Sequence, residues 1–212
     1  MDAANDDDGR KHNSKTDKDK DGNNRDRSPP PTHTTIMFRK FDPSHDVSTS
    51  TQVKASVQRA LKSQILDANP LLTEDILDEL IPKKPPSLVQ YKVGPHLMLY
   101  CRHLESDQEG VSGSNKPYFF QHRDGPILPV LKMIHSFPTL EFSSVTVDTG
   151  AIPFLLGGAN VMCPGLTNPG GSMPEDTDDV AGLEKGDGVV IYAEGKEHAI
   201  AVGVMTMSSR DM

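Results

Sequence analysis

The sequence predicts an α+β protein: a small mixed domain with its helices first and a sheet after, then a smaller β-rich domain, all behind a polar leader. Three observations carry that reading. Residues 1–36 hold no Leu, Val or Phe, and the composition changes abruptly at Met37-Phe38-Arg39-Lys40-Phe41. Apolar residues then recur at spacings of three and four as far as Pro82, and at a spacing of two from Ser87. Beyond residue 141, Gly and Pro gather around short apolar runs. At 212 residues the chain has room for one ordinary domain or two small ones, and the predicted division is 1–36, 37–141 and 142–212.

The leader mixes Asp, Lys, Asn and Gly and closes on Ser28-Pro29-Pro30-Pro31. It cannot bury enough apolar surface to offset chain entropy, so it is expected to be a disordered polar tail. Its start is acidic and lacks an apolar core, unlike a signal or transit peptide. No stretch approaches the roughly 20 consecutive apolar residues of a membrane span. Two cysteines, Cys101 and Cys163, are too few for a disulfide framework. A cytoplasmic protein is the expectation.

Residues 50–69 are predicted to form the first helix. Thr49 and Gln52 have the form of a capping box, and Val53, Val57, Ala60, Leu61, Ile65 and Ala68 make the apolar stripe. The opposite face presents Lys54, Gln58, Arg59 and Lys62, which is either a phosphate-facing stripe or a solvated face. A second helix starts at Thr73 as N-cap, with Glu74 and Asp75 at the positive end of its dipole, and ends at Ile81. Strands follow at Leu88–Val93, Leu97–Cys101 and Tyr118–Phe120, with a turn at Gly94-Pro95 and a long hairpin loop from Glu105 to Lys116. Pro129 to His135 is predicted helical.

In the last third, Gly150 to Leu156 reads as a short helix with Pro153 in an early turn, ended by Gly157-Gly158. Glu175 to Gly188 is an acidic loop, and strands at Val189–Ala193 and Ala199–Val204 complete the chain. Charge is distributed unevenly. Residues 1–36 carry 7 Lys and Arg against 8 Asp, residues 37–140 carry 12 basic against 11 acidic groups, and residues 141–212 carry 3 against 11. The whole excess of the −8 net charge therefore lies in the last third, which excludes a strongly basic nucleic-acid protein.

No catalytic residue is assigned. Cys163 before Pro164-Gly165 lacks the base and orienting group a nucleophilic thiolate needs, and is read as a small buried residue beside a turn. The scattered histidines supply no pair of short-spaced ligands, and the carboxylates of 175–187 lack the alternation and central Gly of a calcium loop. No phosphate-cradling or dinucleotide motif is present. No metal and no cofactor are expected. The segment that stands out runs from Thr149 to Gly165, where glycines permit close backbone approach and N–H groups near a helix end could receive phosphates or ribose hydroxyls. Tight turn packing is the alternative.

At these residues a family resemblance becomes specific. Asp148-Thr149-Gly150-Ala151-Ile152, Gly158-Ala159-Asn160-Val161-Met162, Pro164-Gly165, Lys185-Gly186-Asp187, Glu194-Gly195-Lys196 and Ala201-Val202-Gly203 together resemble a PUA domain, an RNA-binding fold. Met37-Phe38-Arg39-Lys40-Phe41, Ile81-Pro82-Lys83-Lys84, Arg123-Asp124-Gly125-Pro126 and Asn160 to Thr167 resemble, more narrowly, the malignant T-cell-amplified-sequence family of translation factors, over Met37–Met212.

The resemblance implies a mixed N-terminal domain packed on a PUA pseudo-barrel, and binding rather than bond making. It implies a density-regulated-type partner, action at the small ribosomal subunit in re-initiation, initiation and post-termination tRNA release, and contact with tRNA or rRNA but not DNA or membrane. By the same resemblance, Gly150, Ala151, Gly157, Gly158, Ala159, Asn160, Val161, Met162, Pro164 and Gly165 face RNA. Lys54, Arg59, Lys62, Lys83 and Lys84 become candidates for ribosomal RNA contacts. Residues 1–36 precede the family pattern, and the loops at 105–116 and 175–185 look longer than in the family. Family members continue beyond Ser208-Ser209-Arg210-Asp211-Met212 into their last barrel strands, so an open barrel with an unpaired edge is expected. Two competing readings are a PUA module delivering RNA in modification or ribosome assembly, and a protein-interaction fragment.

Overall fold

The computed structural model describes residues 42–83, 88–104, 114–174 and 182–212. The expectations for the leader, for Met37-Phe38-Arg39-Lys40-Phe41, for Lys84, and for most of the 105–116 and 175–185 loops lie outside those residues.

The first half is a five-stranded antiparallel sheet in simple sequence order, β1 (Val47–Gln52), β2 (Leu88–Val93), β3 (Leu97–Leu104), β4 (Ser114–His122) and β5 (Ile127–Pro129), preceded by a single turn, α1 (Pro43–Asp46). Two helices, α2 (Ala55–Ala68) and α3 (Glu74–Leu80), intervene between β1 and β2, and α4 (Leu131–Ser136) follows β5. Leu61 and Ile65 of α2, Leu77 and Leu80 of α3, and Leu88, Tyr100, Phe119 and Ile127 of the sheet share one buried core. Fully burying each such side chain is worth about 1.5–3 kcal/mol.

The second helix is as expected: the Thr73 hydroxyl accepts from the Ile76 N–H, with Glu74 and Asp75 in the first turn. The first helix is shorter than expected. Thr49 and Gln52 do not form a capping box; they lie in β1, where Ser50 pairs with Tyr91 and Gln52 with Val89 of β2. The run Val47-Ser48-Thr49-Ser50-Thr51 suits an extended edge strand, and a partner some forty residues away outweighs the local cap. The buried stripe is also rotated. Gln58, Leu61 and Ile65 face the core, whereas Val57 and Ala60 are exposed.

Strand β4 begins at Ser114, so the predicted loop is shorter on that side. The register between β3 and β4 slips between Tyr100 and Cys101, beside Pro117. A proline without an N–H is tolerated at such a bulge, and the slip lets Tyr118 and Phe119 both be buried. Pro129 belongs to β5 rather than to a helix, and α4 starts two residues later. At the end of α2, Asn69 is buried and its amide donates to the carbonyls of Ile65 (2.8 Å) and Ile127 (3.1 Å), tying the helix to β5.

The second half is a three-stranded sheet among the described residues, β6 (Ser144–Val147), β7 (Gly188–Ala193) and β8 (Ala201–Val204), with β6 parallel and β8 antiparallel to the central β7. The sequence reading missed β6, a four-residue strand whose partner is more than forty residues away. Its parallel pairing requires a long crossover. That crossover carries a 3₁₀ turn (Thr149–Ala151) and two short helices, α5 (Ile152–Leu156) and α6 (Cys163–Thr167). The α+β class and the order of its parts match the expectation.

Strand β7 is buried on both sides. Val189, Ile191 and Ala193 enter a core with Val145, Val147 and Leu166, while Val190 packs with Ile134 of α4 and Ala199. His135, at the end of α4, donates from Nε2 to the Ala199 carbonyl at 2.8 Å, and its ring lies 5.6 Å from that of His198. A side chain at Gly188 would collide with Leu128 of β5, so the absence of a Cβ permits this close packing of the two halves. Burial pushes the Cys101 thiol up to about 12, making it inert.

Candidate nucleic-acid interface

Two surfaces gather the predicted contact residues. The first is a shelf built by the crossover. Asp148 caps its start: Oδ1 accepts from the Ala151 N–H at 2.7 Å, and Oδ2 accepts from the Asn168 side-chain amide at 3.3 Å. The Asp148 N–H donates to the Gly165 carbonyl at 2.9 Å, which draws α6 against the 3₁₀ turn. Gly165 is buried there, and a Cβ on it would approach the Ala151 methyl to 3.2 Å. Gly171 passes still closer, since its Cβ would lie 2.6 Å from the Leu166 carbonyl.

Between α5 and α6 lies a hollow of about 310 Å³. Gly150, Ala151, Asn160, Val161, Met162, Pro164 and Gly165, seven of the ten residues to which the resemblance pointed, line it together with Asp148, Phe154, Leu155 and Asn168. Gly158 and Ala159 instead border a second hollow of about 340 Å³ toward β8, and Gly157 borders neither.

Three of the backbone groups in the glycine segment are already used: Gly157, Gly158 and Ala159 donate to the carbonyls of Pro153, Leu155 and Phe154 at 2.9–3.0 Å, closing the end of α5. Gly158 takes φ +83°, the left-handed value that such a closure favours. What the shelf presents is apolar: Phe154 and Met162 are each 70% exposed and Leu156 48%. Phe154 and Met162 border the same hollow, which makes the shelf a candidate interaction face. No lysine or arginine lines the hollow. Phe154 escaped the sequence reading because Phe-Leu-Leu in a helix signals burial, and only the fold shows which face is left open. Cys163 is half-buried, its Sγ 3.5 Å from Met207 Sδ.

The second surface is a notch of about 210 Å³ between α2 and the segment after α3, lined by Ala55, Gln58, Arg59, Lys62 and Lys83. The expected stripe is not uniform. Gln58 is buried, Lys54 is the exposed N-cap of α2, and Lys62 is largely covered and paired with Asp78. Hydrogen bonds from Lys62 and Lys83 hold the Asp78 carboxyl below the ordinary carboxylate range, and Asp78 in turn raises the Lys83 ammonium. Among the described residues, no group of three or more His, Cys, Asp or Glu could hold a metal, and no helix is long and apolar enough to cross a membrane.

The Pre-PUA-like domain family matches residues 41–138, and the PUA domain family matches residues 143–212. Translation machinery-associated protein 20 of Schizosaccharomyces pombe is 41% identical over 176 residues, covering 83% of this chain and 86% of that protein. The malignant T-cell-amplified sequence 1 homolog of Drosophila melanogaster is 41% identical over 177 residues, and malignant T-cell-amplified sequence 1 of Danio rerio 40% over 178, each with the same coverage of both chains. With both domains matched in order and this identity along most of its length, the chain belongs to the malignant T-cell-amplified sequence family, in which a Pre-PUA-like domain precedes a PUA domain.

Proposed function

We propose that this chain is a non-enzymatic, RNA-binding translation factor acting at the small ribosomal subunit in the cytoplasm. Its roles are re-initiation, initiation and release of tRNA after termination, with a density-regulated-type protein as partner. The observation that carries the reading is the family membership, which includes relatives whose name is translation machinery-associated protein 20. A polar tail over 1–36 and functional regions over 37–141 and 142–212 complete the assignment.

The two surfaces fit complementary tasks. The shelf, from Gly150 and Ala151 through Gly157–Met162 to Pro164 and Gly165, meets RNA by shape and apolar contact, for which its exposed Phe154 and Met162 are suited. With 3 basic and 11 acidic residues over 141–212, this region gains little from counterion release. Electrostatic affinity falls to the N-terminal half, where Lys54, Arg59, Lys62, Lys83 and Lys84 are the candidate contacts with ribosomal RNA, and to the partner. Sedimentation of the full chain with purified small subunits tests the reading. Co-migration is expected when the partner is present, and its absence at low salt with the partner added would overturn it.

A further inference from the structure

The members of the basic notch are not equivalent. The buried amide of Gln58 (6% exposed) donates to the Pro82 carbonyl at 2.8 Å, which fixes the segment leaving α3 against α2 immediately before Lys83. Asp78 on α3 divides its carboxylate: one oxygen takes the Lys62 ammonium, the other takes Lys83 Nζ at 2.7 Å. The Lys62 side chain is only 12% exposed, whereas that of Lys83 is 81% exposed. Arg59 is exposed and makes no hydrogen bond or ion pair among the described residues.

Arg59, Lys62 and Lys83 line this concavity; Asp78 pairs with the two lysines, and the carboxylates of Glu74 and Asp75 add to the field at Lys83. Each Asp78 oxygen is engaged by a lysine, which offsets its charge without cancelling its repulsion of an anion. An ammonium has three donors; with one on Asp78, Lys83 retains two. Arg59 brings an unused planar fork that matches phosphate oxygens.

We propose that Arg59 and Lys83 together grip one backbone phosphate of RNA, that Asp78 is the positioning residue holding Lys83 beside Arg59, and that Lys62 is a structural counter-ion. This rests on the reading that the chain binds ribosomal RNA and divides the work among the basic residues there.

The test is fluorescence anisotropy of the full chain with a labelled RNA hairpin, titrated from about 50 to about 200 mM salt. Arg59→Ala and Lys83→Ala are each expected to weaken binding about tenfold at low salt and to lower the slope of log affinity against log salt by about 0.9. The double variant loses less than the two singles combined, because they share one phosphate. Asp78→Asn is the sharper variant. Removing a negative charge should tighten RNA binding by field alone, whereas a positioning role makes it weaker, and Asp78→Glu restores it.

Unchanged slopes for both Arg59→Ala and Lys83→Ala, or Asp78→Asn binding as tightly as the parent, would overturn the assignment. So would competition by inorganic phosphate beyond that of chloride at equal ionic strength without loss of RNA slope in either variant, which describes a free-anion site. Should Asp78→Asn fail to fold, the two exposed-residue variants decide alone. A parent chain that binds RNA with a slope indifferent to Arg59 and Lys83 defeats this inference only; a parent that binds neither RNA nor small subunits defeats the reading beneath it.

Discussion

The shelf and the notch are opposites in physical character. The shelf stands on glycines, carries Phe154 and Met162 into solvent, and has no cation in its hollow. The notch is small, walled by three cations, and held by a carboxylate and a buried amide. One surface favours shape and apolar contact, which salt barely weakens; the other favours phosphate, which salt weakens strongly. On the proposed reading, a chain whose acidic excess sits in its PUA half meets a polyanion by separating fit from charge.

That contrast can be broken most forcefully at Gly171. A methyl there has backbone on its far side, the carbonyl of Leu166, so neither partner can yield by a rotamer change. Gly171→Ala is expected to destabilise the chain by about 1–3 kcal/mol in thermal unfolding and to displace α6 from the shelf. Below the lowered midpoint, the salt-dependent part of RNA binding should survive.

A smaller effect separates the two surfaces without damaging either. Phe154→Ala removes an exposed ring, so stability should hold while RNA affinity falls by about 1 kcal/mol, roughly fivefold. The salt slope should match the parent's, in contrast to Arg59→Ala. A changed slope with unchanged affinity would reverse the assignment of roles.

The smallest effect is one of pH. The Asp78 carboxyl is held down by Lys62 and Lys83, so its contribution to stability is complete above the ordinary carboxylate range and is lost as pH falls through the lowered value. The difference in thermal midpoint between parent and Asp78→Asn should therefore be present at neutral pH and vanish in acid. Because Asp78 and Lys83 are open to solvent, the shift in midpoint should be small.

How much of this could be read from residues alone depends on how local each feature is. Thr73 with Glu74 and Asp75 declared a helix start because cap and dipole act within one turn. Thr49 and Gln52 imitated a cap, but the deciding partner was Tyr91 and its neighbours on β2, which no window around residue 50 contains. Gln58 looked like a surface residue because glutamine usually is, and its burial rests on the Pro82 carbonyl twenty-four residues on. Of the shelf, the glycine and proline positions were legible as punctuation. Its apolar face was not, since hydrophobic periodicity tells which residues want cover and not which of them the fold leaves bare. The same limit hid β6, for which β7 supplies the pairing.

The double-sided burial of β7 bears on how this protein can be dissected. Cutting near residue 141 would strip α4 from Val190, Tyr192 and Val202 and leave the His135 bond to Ala199 unmade. The liberated C-terminal piece would present a greasy sheet face to water, prone to stick to its own copies. Binding measured on such a fragment would report that new face as much as the shelf, so single substitutions in the intact chain are the sounder way to assign its contacts.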